Sequence, residues 1–94
     1  MADAERMARA FKVLSVGTRV RIVQLLRDRD LCVNALAQRL EITPPAVSQH
    51  LRVLRGADLV TADKRGYFVH YRVKPKTLAA WKRFANGLLG EEAE

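Results

Sequence analysis

The sequence predicts a mainly α-helical fold with one small β-hairpin, and three observations support this prediction. Apolar residues recur at helical spacing along most of the chain. Residues 59–63 and 67–73 alternate between apolar and polar side chains, as half-buried strands do. Helix-breaking residues mark element boundaries, for example at Gly17 and Pro44. With 94 residues, the chain is expected to form a single domain over residues 1–94.

The N-terminal part of the chain predicts two helices. The first is expected over residues 3–15, with Asp3 as its N-cap, because apolar residues there fall on one stripe. Gly17-Thr18 interrupts this pattern, and a second helix with a broad apolar face follows to about Asp28.

A short strand and a third helix come next. Leu31-Cys32-Val33 is a β-prone run. Asn34 is expected to cap a helix that continues to Leu40.

The fourth helix has the clearest start signal in the chain. Thr43 is a strong N-cap candidate, and Pro44 suits the first helical position, where its missing N–H costs nothing. The helix is expected to run to about Gly56. Its predicted buried stripe is Val47, Leu51 and Leu54.

A hairpin and a final helix complete the prediction. The strands over residues 59–63 and 67–73 are expected to be joined by Lys64-Arg65-Gly66. Pro75 starts the last helix and Gly90 ends it. The predicted order is helix, helix, strand, helix, helix, strand, strand, helix.

Composition excludes several classes of protein. Apolar residues make up 49% of the chain and charged residues 29%, a globular balance rather than a disordered one. No apolar run reaches membrane-spanning length and the N-terminus lacks a signal-peptide core, so a cytoplasmic location is expected. The single cysteine, Cys32, excludes an internal disulfide and fits a reducing compartment.

The excess of positive charge is largest over residues 43–74 and absent from residues 75–94. The net charge is +7, and residues 43–74 carry six basic against two acidic residues, whereas residues 75–94 balance at three of each. Such an excess favours a polyanionic partner. A solvated basic surface without a partner is the alternative that charge alone leaves open.

The fourth helix has the features of a helix that reads duplex DNA. It follows the third helix after a tight turn, and a helix held in this way fits the major groove. Ser48 and Gln49 can reach base edges, while Arg52 or Arg55 can anchor to phosphates. Pro45 suits apolar contact with a thymine methyl group. The candidate contact residues on this helix are Thr43, Pro44, Pro45, Ser48, Gln49, Arg52 and Arg55.

The hairpin strengthens the DNA prediction. Lys64 and Arg65 are expected at its tip, where Gly66 permits the turn. Two long cations there can lie along the phosphate backbone or enter a minor groove. An exposed turn with cations for solubility is the alternative. The cationic hairpin and the polar helix together favour double-stranded DNA as the partner.

Three segments resemble the ArsR/SmtB-type winged helix-turn-helix repressors. AVSQHLRVLRGADLV is similar to their recognition-helix signature, KRGYFVHYRV to their wing, and GTRVRIVQLL to the start of their second helix. The resemblance runs from about Phe11 to Val73. It implies a winged helix-turn-helix homodimer that pairs through its first and last helices, binds a palindromic operator and is released by some signal.

The resemblance also implies roles for individual residues. The family's reading positions correspond to Pro44, Pro45, Ser48 and Gln49, with Lys64 and Arg65 in the wing. His50 matches a position that packs near the domain interior and is expected to be structural. No feature of the sequence identifies the inducer or the operator sequence.

The first and last helices carry apolar stripes that are large for so small a domain. They could pack across a two-fold axis, or they could complete the core of a monomer. The candidate interface residues are Met7, Phe11 and Leu14 on the first helix, with Leu78, Trp81, Leu88 and Leu89 on the last.

The residues do not favour a metal or another cofactor. Many relatives sense metals through a cysteine pair in E-L-C-V-C-D-L, but here Cys32 is followed by Asn34 where the second cysteine would stand. One thiolate cannot supply the three or four ligands of a thiophilic ion. Residues 75–89 contain no His, Asp, Glu or Cys. Cys32 is expected to be a small buried hydrophobe. His50 lies in the fourth helix and His70 in the hairpin, and their roles there are too different for the two to form a metal cage with Cys32.

Two other classes of function are alternatives to DNA binding. A winged-helix module that binds RNA or another protein is the main alternative, since its basic face would serve a different partner. An enzyme is not expected. The sequence has no glycine-rich phosphate loop, no HExxH and no nucleophile beside a suitable histidine base.

Overall fold

The computed structural model describes residues 2–90 and has the predicted order of elements. The helices and strands are α1 (Ala2–Val13), α2 (Gly17–Asp28), β1 (Leu31–Cys32), α3 (Val33–Leu40), α4 (Pro44–Gly56), β2 (Val60–Arg65), β3 (Phe68–Val73) and α5 (Pro75–Leu89). The mainly helical fold class with a small hairpin is confirmed.

The hairpin is part of a three-stranded antiparallel sheet. The strand order is β1-β3-β2, so β3 lies in the centre. The β2–β3 register runs from Val60 opposite Val73 to Arg65 opposite Phe68. On the other edge of β3, Cys32 lies opposite His70. The short strand therefore ties the region before α3 to the hairpin.

Two predicted helix caps are wrong. Asp3 lies inside the first turn of α1, where its carboxylate suits the positive end of the helix dipole. The N-cap of α3 is Cys32, which has extended backbone and no capping side chain, and Asn34 is the second helical residue. Pairing with β3 holds Cys32 in an extended conformation, so Cys32 is the last residue before the helix. The helix therefore begins at Val33, one residue before the predicted cap.

The turn of the hairpin also differs from the prediction. Lys64 and Arg65 belong to β2, and the connecting residues are Gly66 and Tyr67. Gly66 has a φ of +64, whereas the φ of Tyr67 is not positive. This is the pattern of a two-residue type II′ turn, which places glycine first. The tip of the hairpin is thus formed by Gly66 and the 98% exposed Tyr67 rather than by two cations.

The core lies between α2, α3, α4 and one face of the sheet. The predicted stripe on α4 is confirmed, since Val47, Leu51 and Leu54 are all fully buried. The buried side chains of this cluster are Ile22, Val23, Leu26, Leu31, Leu36, Ala37, Leu40, Val47, Leu51, Leu54, Leu59, Val60 and Val73. Burying one such leucine contributes roughly 1.5–3 kcal/mol. The core therefore fixes the orientation of α4.

Within residues 2–90, the structure contains no helix with the length and apolar character needed to span a membrane.

Candidate nucleic-acid interface

The turn between α3 and α4 fixes where α4 begins. Glu41 adopts the left-handed conformation with φ 58, and the N–H of Ile42 donates to the carbonyl of Ala37 at 3.2 Å. The Thr43 hydroxyl then accepts a hydrogen bond from the N–H of Ala46 at 3.3 Å. The predicted cap at Thr43 is confirmed, and Pro44 occupies the first helical position.

The polar side of α4 is exposed, opposite its buried stripe. All seven candidate contact residues on this helix are exposed: Thr43, Pro44, Pro45, Ser48, Gln49, Arg52 and Arg55. Arg55 shares a side with Ser48 and Arg52, because the three are spaced at i, i+4 and i+7. Together with Tyr71 of β3 they line a shallow depression of about 440 Å³. The helix thus presents short polar groups near its start and arginines beyond.

The two cations of the hairpin have different surroundings. Lys64 is exposed and makes no ion pair within residues 2–90. Arg65 instead places its Nη2 atom 2.5 Å from Oδ2 of Asp30 and 3.7 Å from Oδ2 of Asp63. Asp63 also faces Nε of Arg72 at 3.4 Å. Arg65 is therefore held against the sheet by two carboxylates.

These ion pairs lie on the outer face of the sheet. Strand residues alternate between faces, so Asp63, Arg65, His70 and Cys32 lie on the face opposite the buried Val60 and Val73. The sequence predicted the cations of the hairpin but not their carboxylate partners. Asp30 is 35 residues from Arg65, and no local pattern reveals that pairing.

Cys32 and His70 lie side by side in the sheet. They are direct cross-strand partners, and such pairs have Cβ atoms about 4.5–5.5 Å apart. The Nδ1 atom of His70 is buried without a hydrogen-bond partner. Cys32 is a free thiol that is only partly buried, which corrects the expectation of a buried residue. No cluster of three or more His, Cys, Asp or Glu residues in the described part of the chain could hold a metal ion.

His50 is held by a residue that sequence reasoning did not single out. Nε of Arg19 donates to Nδ1 of His50 at 3.3 Å, and Nη1 of Arg19 donates to the carbonyl of Val13 at 3.2 Å. Arg19 thereby connects the end of α1 to α4. The half-buried His50 is consistent with the structural role expected for it. Arg19 stands within the family-like segment GTRVRIVQLL, which was the available signal.

The candidate interface residues fall into two groups. Leu14, Leu78 and Trp81 are partly buried against the core of their own chain. Phe11, Leu88 and Leu89 are 40%, 59% and 76% exposed, and Met7 is partly exposed. The apolar stripes of the first and last helices therefore do two things. They complete the core of the monomer on one side, and they leave exposed apolar surface on the other.

A groove of about 750 Å³ lies between α1, the end of α4 and α5. Arg6 and Phe84 pack across it, with the guanidinium carbon of Arg6 5.6 Å from the ring centre. This contact brings the two terminal helices together in one chain.

Asp58 anchors the start of α5 to the end of α4. Its Oδ1 atom accepts a hydrogen bond from Nζ of Lys74 at 2.6 Å, and its Oδ2 atom accepts one from the Thr77 hydroxyl at 3.4 Å. The hydrogen bond from Lys74 lowers the pKa of Asp58. The residue itself has φ 63, a conformation that aspartate tolerates better than most residues.

A helix held by a partner helix, followed by a hairpin in a small sheet, is the winged helix-turn-helix architecture found in DNA-binding regulators of transcription. Comparisons with known proteins support this class. The family model described as "Bacterial regulatory protein, arsR family" matches residues 17–62.

Two curated relatives and a solved structure agree. The transcriptional repressor SdpR of Bacillus subtilis is 31% identical over 72 residues, covering 77% of this chain and 80% of SdpR. The arsenical resistance operon repressor of Escherichia coli is 42% identical over 72 residues, covering 76% of this chain but only 61% of that repressor. The structure of the homodimeric winged helix-turn-helix DNA-binding domain of Mb0332 from Mycobacterium bovis superimposes with a TM-score of 0.76 at 27% identity, covering 99% of this chain and 86% of that one.

The chain therefore belongs to the ArsR family of bacterial regulatory proteins. The resemblance seen in the sequence is confirmed. Because the family consists of transcription regulators, the prediction that the chain is not an enzyme is confirmed as well.

Proposed function

We propose that this regulator is a homodimeric repressor that binds a palindromic operator, including that of its own operon. The observation that carries the proposal is the arrangement of α4, whose polar N-terminal half is exposed while Val47, Leu51 and Leu54 anchor its other side. The SdpR and Escherichia coli relatives are named as repressors, which supports the direction of regulation.

In this proposal α4 enters the major groove by its N-terminal end. Ser48 and Gln49 contact base edges, and Pro45 contacts a thymine methyl group. Thr43 and Pro44 lie beside them at the entry point. Phosphates are contacted by Arg52, Arg55 and Lys64, and by Arg65 to the extent that its guanidinium leaves the ion pair with Asp30. The exposure of all these side chains and the net charge of +7 support these assignments.

The dimer would form through α1 and α5, the dimerisation helices of one DNA-binding domain. Exposed Phe11, Leu88 and Leu89 and partly exposed Met7 supply the apolar surface, while Leu14, Leu78 and Trp81 support it from the core side. The homodimeric state of the Mycobacterium bovis domain supports this assembly. A two-fold dimer would set its reading helices about 34 Å apart, one turn of DNA.

We further propose that metal ions do not release this regulator from DNA at the family's usual sites. Cys32 has Asn34 rather than a second thiol beside it, and residues 75–89 offer no His, carboxylate or thiol. Titration with zinc, cadmium or arsenite during operator binding tests this point. Release at micromolar concentration by any of them would contradict it.

Selection of bound sites from a random pool of duplex DNA tests the proposed function. The selected sequences should share a palindrome with half-sites one helical turn apart, and that palindrome should occur upstream of the chain's own gene. Competition with single-stranded RNA and random DNA provides the contrast. Preferential binding to RNA, or selection without an enriched sequence, would overturn the proposal.

A further inference from the structure

The side chain of Arg65 does not extend beyond the hairpin. Its backbone lies next to the turn, opposite Phe68. Its guanidinium nevertheless meets Asp30, the residue just before β1. Since β3 lies between β2 and β1, with neighbouring strands about 4.8 Å apart, the side chain crosses the outer face of the central strand.

The residues on this face agree with that path. Asp63 and His70 lie in the row between Arg65 and the start of β1. Asp63 is a second partner of Arg65 at 3.7 Å. A guanidinium lying across the outer face of the sheet is within reach of both carboxylates.

The ion pair with Asp30 can be exchanged. The side chains of Arg65 and Asp30 remain 50% and 31% exposed, and exposed pairs of this kind are weak. A phosphate offers the same guanidinium the same paired oxygens that a carboxylate does. Asp30 and a DNA phosphate therefore compete for one cation.

We propose that Asp30 is a positioning residue that holds Arg65 away from DNA and thereby lowers the affinity of the wing for the phosphate backbone. The inference rests on the proposed DNA-binding function and adds a residue to it. Lys64 lies on the opposite face of β2 and has no such carboxylate partner within residues 2–90, so it remains the available wing cation.

Replacing Asp30 should strengthen DNA binding. Asp30→Asn removes the competing charge and keeps the side-chain size, so affinity for cognate and random duplexes should both rise about two- to five-fold. The plot of log affinity against log salt should also steepen by up to about 0.9, the contribution of one added phosphate contact. A purely structural role for Asp30 would not change this slope.

Asp28→Asn is the matched control. Asp28 ends α2 two residues away, is exposed and makes no ion pair in the described part of the chain, yet its replacement changes the net charge equally. Binding of both variants should be measured by fluorescence anisotropy over a salt series, after thermal unfolding has shown them folded. Both measurements should then be repeated in an Arg65→Gln background, where the difference between the two replacements should vanish.

Each outcome decides the proposal. A larger gain and a steeper slope for Asp30→Asn, both dependent on Arg65, support it. Equal effects of the two replacements, or weaker binding by Asp30→Asn, overturn it while leaving the proposed function intact. Absence of binding by the unaltered protein to any duplex at low salt overturns the proposed function and this inference with it.

Discussion

Single side chains determine how α4 begins and how α5 is attached. The Thr43 hydroxyl satisfies the N–H of Ala46, which would otherwise lack a partner in the first turn of the helix. Asp58 binds Lys74 and Thr77 at the junction with α5. Each interaction therefore predicts the effect of one substitution.

Thr43→Ala should lower the free energy of unfolding by about 1 kcal/mol, because the cap of α4 is lost. Urea denaturation followed by circular dichroism measures this effect. Ser48→Ala is the control, since Ser48 lies inside the same helix and its hydroxyl makes no hydrogen bond within residues 2–90. Equal losses for the two variants would contradict the capping role.

Asp58 should make stability sensitive to acid. Its folded pKa lies below the usual 3.8 because Lys74 donates a hydrogen bond to the carboxylate. A lowered pKa stabilises the fold above the unfolded value, and this contribution is lost as the pH falls through the lower folded value. When the pH is lowered from neutral to below about 4, the free energy of unfolding should therefore fall less for Asp58→Asn than for the unaltered protein. Equal losses of unfolding free energy for the two proteins over this pH range would contradict a stabilising role of the Asp58 carboxylate.

At the scale of elements, sequence patterns predicted what depends on neighbours in the chain. Thr43-Pro44 revealed the start of α4, and its apolar spacing revealed the buried stripe. The hairpin turn lies at Gly66-Tyr67 rather than at the predicted Lys64-Arg65-Gly66, because its position is set by the pairing of Arg65 with Phe68 across the strands. The early start of α3 depends on pairing of Cys32 with His70, a contact between distant parts of the chain. The Arg65–Asp30 pair has the same origin.

The wing element makes a prediction about phosphate contacts. Lys64→Gln should weaken binding to cognate and random duplexes alike and reduce the slope of log affinity against log salt by about 0.9. Lys12→Gln, at an exposed position of α1 outside α4 and the hairpin, is the control for the change in net charge. A loss confined to the cognate duplex would show that Lys64 reads bases instead.

At the scale of the whole molecule, the apolar surface on α1 and α5 indicates how two chains assemble. Trp81 packs against the core, so its replacement would confuse folding with assembly. Leu88 is 59% exposed and provides a cleaner test. The sequence revealed both stripes but could not divide them between core and interface, because that division depends on how α5 packs on α1.

Leu88→Asp should produce folded monomers with weak operator binding, because each chain then holds only one half-site. Ala79→Asp is the control, since it adds the same charge to the exposed face of α5 about 180° from Leu88. Sedimentation velocity measures the assembly state. An unaltered dimer for Leu88→Asp would contradict the proposed interface.

The most direct test of the account is the specificity ratio, the affinity for the selected operator divided by that for a scrambled duplex. Gln49→Ala should reduce this ratio by an amount equivalent to roughly 1–3 kcal/mol if its base contact is bidentate. Gln38→Ala on α3, which is also exposed, should leave the ratio unchanged. If Gln49→Ala lowers the affinity for the operator and for the scrambled duplex equally, the claim that the exposed half of α4 reads DNA sequence is contradicted.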